Sequence, residues 1–249
     1  MARFAVMGSP IAHSLSPTLH RAAFAHLGLE AQYEAEQNTT LKNVDINSYR
    51  GLSLTMPLKL EAFSLADTHD DESLASGVSN TLLISNGHLT ALNTDVYGIA
   101  KAVEPLDVER VQIVGTGATA KSAALAMRDK EISFTGRNPE KVELISDWAS
   151  TQGIEPAEQE IVDLVIDTTP GDSELVYKQH HYILDVAYAS NRNAGARGLI
   201  SGLEMLLHQA VLQNLSFSTP FVQEKIDLLD LTEVMRRALV QRVGEWSNA

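Results

Sequence analysis

Short apolar runs alternate with longer amphipathic stretches along nearly the whole chain, and this alternation predicts βα units around mostly parallel sheets. Phe4–Met7 predicts a strand. Pro17 to Leu27 predicts a helix with Ser16 as N-cap and Pro17 in its first position. Leu52–Thr55 is a second strand, and Pro57 opens a helix to Ala66. Thr81–Ile84 and His88–Leu92 flank Asn86-Gly87, a pair suited to the left-handed backbone of a type I′ turn, so a hairpin is expected. A helix from Thr94 to Val103 follows.

After Pro105 the pattern restarts. Val111–Val114 and Ile132–Thr135 predict strands around a helix over Ala118–Arg128, and Asn138-Pro139 caps a helix to Ser150. Asp163–Asp167 and Tyr182–Val186 read as buried strands, Leu203–Leu215 and Ile226–Val243 as helices. The expected fold is therefore two α/β domains, with a boundary near residues 96–106 and a second crossing near 200–205.

Composition narrows the partners. The 249 residues carry 19 Lys and Arg against 32 Asp and Glu, a net charge of −13, which argues against nucleic acid or an anionic membrane as partner. With no cysteine, disulfides, thiolate nucleophiles and thiolate metal sites are excluded. The eight histidines form no metal-ligand spacing supported by carboxylates, so no metal is expected. His180-His181 is expected in a polar turn. No apolar run approaches membrane-spanning length, and the apolar opening is cut off by Gly8-Ser9-Pro10; a soluble, cytoplasmic protein is expected.

Gly115-Thr116-Gly117-Ala118-Thr119-Ala120 fits G-x-G-x-x-(G/A) directly after an apolar strand and at the start of a helix. In that context the first glycine permits the tight turn, and the second lets the backbone approach a pyrophosphate at the helix N-terminus. The next strand ends about 20 residues on, where the ribose is read. Gly136-Arg137-Asn138 stands there, with Lys141 one turn further. A guanidinium pairs with a 2′-phosphate and a carboxylate would repel it, so the cofactor expected is NADP rather than NAD. No G-x-x-x-x-G-K-(S/T) occurs, which removes a P-loop nucleotidase.

In the first half, Ser14 and Ser16 present hydroxyls just before a helix, a setting suited to a carboxylate ligand. Lys59 falls in the first turn of a helix, where a cation opposes the macrodipole; a residue placed against local preference points to function. Asp95 enters the following helix, and Asn80 starts a strand with an amide able to bind a hydroxyl.

These segments, in this order and spacing, resemble the shikimate dehydrogenase family over essentially the whole chain. The resemblance rests on Gly8-Ser9-Pro10-Ile11 with His13–Pro17, Thr55-Met56-Pro57 with Lys59, Asn80-Thr81 and Asn93-Thr94-Asp95. It continues through the Gly115 motif, Arg137, Asp185 with Tyr188, Gly202-Leu203, Met205-Leu206 and Gln209-Ala210. It implies NADPH-dependent reduction of 3-dehydroshikimate to shikimate, a step in aromatic amino-acid biosynthesis. It further implies that Ser14, Ser16 and Tyr188 hold the substrate carboxylate, while Thr55, Asn80, Asp95 and Gln209 read ring hydroxyls. Lys59 and Asp95 would be the catalytic pair: Lys59 as general acid in reduction and base in reverse, Asp95 orienting the substrate hydroxyl. Gly115, Thr116, Gly117, Ala118, Thr119, Gly136, Arg137, Asn138 and Lys141 match the cofactor segments, with Val186 and Gly202 near the nicotinamide. Residues 1–95 plus 203–249 would form the substrate domain and 96–202 a Rossmann-type NADP-binding domain, with the site in the cleft between them and the protein a monomer or homodimer. The sequence departs from the family at Ser53, where many relatives carry Asn, at Ala189-Ser190, and in the Gly-Thr-Gly-Ala-Thr loop. The rival readings are a quinate/shikimate dehydrogenase of broader range and a non-catalytic dinucleotide-binding homologue.

Overall fold

A computed structural model describes residues 1–171, 177–189, 193 and 195–246; Ser190 lies outside the described residues. The described chain divides into two compact units, Met1–Thr94 with Leu206–Glu245, and Asp95–Met205 with Trp246.

The first unit holds a six-stranded sheet in the order β2-β1-β3-β5-β6-β4. Its strands are β1 (Ala2–Gly8), β2 (Ala31–Gln37), β3 (Gly51–Leu54), β4 (Thr68–His69), β5 (Thr81–Ser85) and β6 (His88–Leu92). β1 runs parallel to both β2 and β3, whereas β5 is antiparallel to β3 and to β6. The β5–β6 hairpin turns at Asn86 (φ 51°) and Gly87 (φ 80°), both left-handed as a type I′ turn requires. One face of the sheet buries Leu52, Leu54, Leu58, Leu82, Ile84 and Ala91. The other stacks Phe4, Phe24, Tyr33 and Phe217. β2 is an edge strand, and Arg21 of helix α1 (Ser16–His26) guards it: its Nε donates to the Tyr33 carbonyl at 2.8 Å and its Nη2 pairs with Glu34 at 2.8 Å.

Two local expectations are corrected. Ser16 is the first helical residue of α1, not its cap; Leu15 occupies the cap position and makes no side-chain cap bond. Pro57 lies in a turn, and helix α2 (Lys59–Leu65) begins two residues later because Leu58 folds its N–H back onto the Thr55 carbonyl at 2.8 Å. Five elements arise that the hydrophobic pattern does not mark: β2, a 3-10 turn over Ile46–Ser48, β4, helix α3 (Asp71–Ser76) and β11 (Leu199–Ser201).

The second unit holds a five-stranded sheet, order β11-β10-β9-β7-β8, in which every pairing is parallel. It comprises β7 (Arg110–Val114), β8 (Glu131–Thr135), β9 (Leu164–Asp167), β10 (Tyr182–Asp185) and β11. Val111, Ile113, Ile132, Leu164, Ile166 and Leu184 are fully buried, as strands covered on both faces must be. Helices α4 (Asp95–Val103), α5 (Ala118–Ala126) and α6 (Pro139–Thr151) belong to this unit. The Asn138 side chain caps α6, as expected, by accepting from Lys141 N. His180 and His181 lie in the loop before β10. Helix α7 (Gly202–Ser218) contains the boundary between Met205 and Leu206, and α8 (Leu228–Val243) belongs to the first unit.

Candidate active site

Strand direction gathers the first unit's candidates at one end of its sheet. The C-terminal ends of β1, β3 and β6 and the N-terminal end of β5 all face the same way. There Thr55 N donates to the Met7 carbonyl at 2.9 Å and Ser9 N to the Met56 carbonyl at 2.9 Å. A Cβ built on Gly8 would stand 2.3 Å from Thr55 Cγ2, so only glycine lets these two loops close together. Lys59, half-buried at the start of α2, is fixed through its carbonyl, which accepts from Ser79 N at 3.0 Å. That bond places Lys59 beside Asn80 in the same loop cluster.

Asn80 is 2% exposed and its amide is fully oriented. Its Oδ1 accepts from Thr94 N at 2.9 Å and from Thr81 Oγ1 at 2.8 Å, while Nδ2 donates to Thr94 Oγ1 at 2.9 Å and to Gln209 Oε1 at 3.3 Å. A backbone N–H admits only the oxygen end, so the donor end must face away from it. Gln209, on α7, is held in turn by donation to the Leu206 carbonyl at 2.9 Å. At the start of α1 the Ser14 hydroxyl accepts from Ser16 N at 3.4 Å, and Ser16 is buried against the Tyr33 phenol.

The second unit builds its own cluster at the C-terminal ends of parallel strands. Gly115, φ +117°, follows β7 and donates to the Thr135 carbonyl at 2.8 Å, joining its loop to the end of β8. A Cβ there would meet Thr168 Oγ1 at 2.3 Å. Gly117 is the N-cap of α5 and brings no side-chain acceptor to the helix N-terminus, the end that suits an anion. Ala118 starts the helix, Thr116 and Thr119 are partly exposed, and Ala120 is fully buried where the motif wants a small residue. Gly136 lies against Thr116, so the two loops are neighbours. Arg137 and Lys141 are exposed beside Asn138, and among the described residues the Arg137 guanidinium has no partner. This donor set fits a dinucleotide with a 2′-phosphate: two glycines for close approach, a helix N-terminus for pyrophosphate, and two cations.

Val186, Tyr188 and Gly202 also belong to this unit. Val186 follows β10 and donates to the Asp167 carbonyl at 3.1 Å, Tyr188 is half-buried in the next turn, and Gly202 is the first residue of α7. Asp95 heads α4, 5% exposed. Thus Lys59 falls in the first unit and Asp95 opens the second. Asp185, a residue of the family resemblance, lies in register on β10 with a buried carboxylate on β9 that the sequence patterns did not single out, Asp167. Asp167 accepts from Tyr177 Oη at 2.6 Å and Asp185 from Asn193 Nδ2 at 2.7 Å. Gln213 was missed as well, and Thr81 was noted in its motif without a role. Among the described residues no group of His, Asp and Glu has the geometry to hold a metal, and no helix is long and apolar enough to cross a membrane.

Fold and clusters define a two-unit α/β protein whose second unit is Rossmann-type. Residues 6–82 match the shikimate dehydrogenase substrate binding domain. The chain is 30% identical over 239 residues to shikimate dehydrogenase (NADP(+)) of Ignicoccus hospitalis, covering 84% of this chain and 90% of that one. With the Leptospira interrogans protein of the same name it shares 30% over 281 residues, 96% of each. Among solved structures, Thermus thermophilus shikimate 5-dehydrogenase in complex with shikimate superposes with a TM-score of 0.80 at 29% identity, over 96% of this chain and 99% of that one. The same protein in complex with NADP(H) and shikimate gives 0.77 at 27%, over 96% and 100%. The chain belongs to the shikimate dehydrogenase family.

Proposed function

We propose that this protein is an NADP-dependent shikimate dehydrogenase, reversibly reducing 3-dehydroshikimate to shikimate in aromatic amino-acid biosynthesis. The observation that carries this reading is similarity along 96% of the chain to a relative of that name. The retained Lys59 and Asp95 support an enzyme over a non-catalytic binding protein, which has no use for a proton donor.

When bound, the nicotinamide supplies the hydride. The chain does the rest. Lys59 donates a proton to the carbonyl oxygen as it becomes a hydroxyl, and its positive charge stabilises negative charge developing there; in reverse the neutral amine takes the proton back. Asp95 orients that hydroxyl and the lysine. Ser14, Ser16 and Tyr188 bind the substrate carboxylate, while Thr55, Asn80 and Gln209 read the ring hydroxyls. Gly115–Thr119 bind pyrophosphate, Gly136, Arg137, Asn138 and Lys141 bind the 2′-phosphate end, and Val186 and Gly202 border the nicotinamide. Residues 1–95 and 203–249 are thus the substrate domain and 96–202 the NADP domain. We place the enzyme in the cytoplasm, as a monomer or homodimer acting on small molecules; its net charge of −13 opposes nucleic-acid binding.

The test follows loss of NADPH absorbance with 3-dehydroshikimate, beside the reverse reaction with shikimate and with quinate. Turnover with 3-dehydroshikimate and preference for shikimate over quinate are expected; no turnover of any of these acids sinks the proposal. Lys59→Ala should lower kcat by about 10²–10⁴ with a far smaller change in KM. Undiminished kcat would remove Lys59 from the chemistry.

A further inference from the structure

Behind the Asn80 amide runs a chain of buried hydrogen bonds, all within the first unit, that reaches the Tyr33 phenol beside Ser16. Tyr33 Oη donates to Ser53 Oγ at 2.6 Å, and Ser53 Oγ donates to Gln213 Oε1 at 2.8 Å. From its other end, Gln213 Nε2 donates to Thr81 Oγ1 at 2.8 Å and to the Asn80 carbonyl at 3.1 Å. Thr81 Oγ1 then donates to Asn80 Oδ1, and Asn80 Nδ2 donates on to Gln209 Oε1. Tyr33, Ser53, Asn80, Thr81, Gln209 and Gln213 are all buried.

The polarity of this chain is fixed at each step. A hydroxyl has one proton. Because Gln213 presents its NH₂ to Thr81, that hydroxyl must spend its proton on Asn80 Oδ1. Gln213 cannot flip to reverse this, since its oxygen is required by Ser53, whose own oxygen already takes the Tyr33 proton. Gln213 also holds the Asn80 backbone through its carbonyl. One side chain on α7 therefore holds the backbone of a residue 133 positions earlier and, through Thr81, reinforces the amide orientation that Thr94 N imposes.

We infer that Gln213, acting through Thr81, is a positioning residue for substrate recognition: it helps hold Asn80, its donor end turned to Thr94 and Gln209, in the place from which the ring hydroxyl is read. This rests on the proposal that Asn80 reads substrate. Gln213 touches neither substrate nor cofactor in this role, so its effect must appear in shikimate recognition and depend on Asn80.

The experiment compares Gln213→Met, Thr81→Val and Asn80→Ala, and the doubles with Asn80→Ala, in shikimate oxidation at saturating NADP, with thermal unfolding alongside. Gln213→Met and Thr81→Val should each raise the shikimate KM about tenfold, the loss of one well-placed hydrogen bond. The KM for NADP should stay within about twofold, and neither change should raise the shikimate KM further in the Asn80→Ala background. A lowered Tm with an unchanged shikimate KM in both single variants would make Gln213 merely structural and overturn the inference. So would additive effects with Asn80→Ala. If Gln213→Met fails to fold, Thr81→Val, which cuts the same chain while keeping size and β-branching, decides by the same criteria. If Asn80→Ala leaves the shikimate KM unchanged, Asn80 is no substrate reader; that failure is distinct, because the reading of Gln213 alone fails when Asn80→Ala raises KM and the other two variants do not.

Discussion

At the scale of single residues, two of the side chains proposed to bear chemistry, Lys59 and Arg137, stand out by their local setting. Lys59 begins a helix, where a cation is least welcome. Arg137 projects into solvent at the end of β8 with no partner among the described residues. Arg137→Asp should invert the preference between NADP and NAD, read as the ratio of the two kcat/KM values; an unchanged ratio would move recognition of the 2′-phosphate elsewhere. Such residues were legible in the sequence because their oddity is local. Ser53 and Gln213 were not, since a hydrogen bond between residues 160 positions apart is created by strand order and helix docking. Ser16 was misplaced for the converse reason: a serine before proline has the chemistry of an N-cap, but the turn closed by Ser14 N on the Ile11 carbonyl shifts the helix start.

At the scale of elements, apolar runs ended by turn residues translated directly into strands, and Asn86-Gly87 into the hairpin. The pattern fell silent where an element buries few apolar side chains. β2 buries Tyr33 alone of its seven residues, β4 has two residues and α3 only six. The Gly-rich turn is the element whose backbone matters most. Gly115→Ala would force a Cβ into Thr168 Oγ1 at a backbone angle L side chains avoid. Such strain costs about 1–3 kcal/mol, so a lower Tm and weaker NADP binding by titration are expected together. Full retention of both would mean that the turn relaxes.

At the scale of the whole molecule, the buried His20 ring couples stability to pH. His20 stacks on Tyr33 with centroids 4.3 Å apart, its Nδ1 accepts from Asn214, and its Nε2 makes no hydrogen bond. Burial lowers its pKa from 6.5 to about 3, only partly offset by the neighbouring Gln213 side chain. Between those values the unfolded chain binds a proton that the folded one refuses. Stability is therefore complete above pH 6.5 and declines as the pH falls toward 3, by at most about 1.4 kcal/mol per pH unit from this group. In urea unfolding, the native protein's advantage over His20→Gln should shrink from pH 7 to pH 5; a constant gap would show that the ring does not govern this dependence.

The Arg21 contact at β2 reaches beyond the single molecule. An edge strand's free carbonyls are templates on which another chain can add a strand, the first step of fibrous aggregation. Here the Tyr33 carbonyl is already taken by a guanidinium, which is itself anchored to Glu34. A strand adding across Tyr33 must break that pairing and cover two charges to gain its bond there. The far edge, β4, is two residues long and offers almost no template. Both edges of the sheet that carries the proposed chemistry thus offer less template for strand addition than a bare edge would.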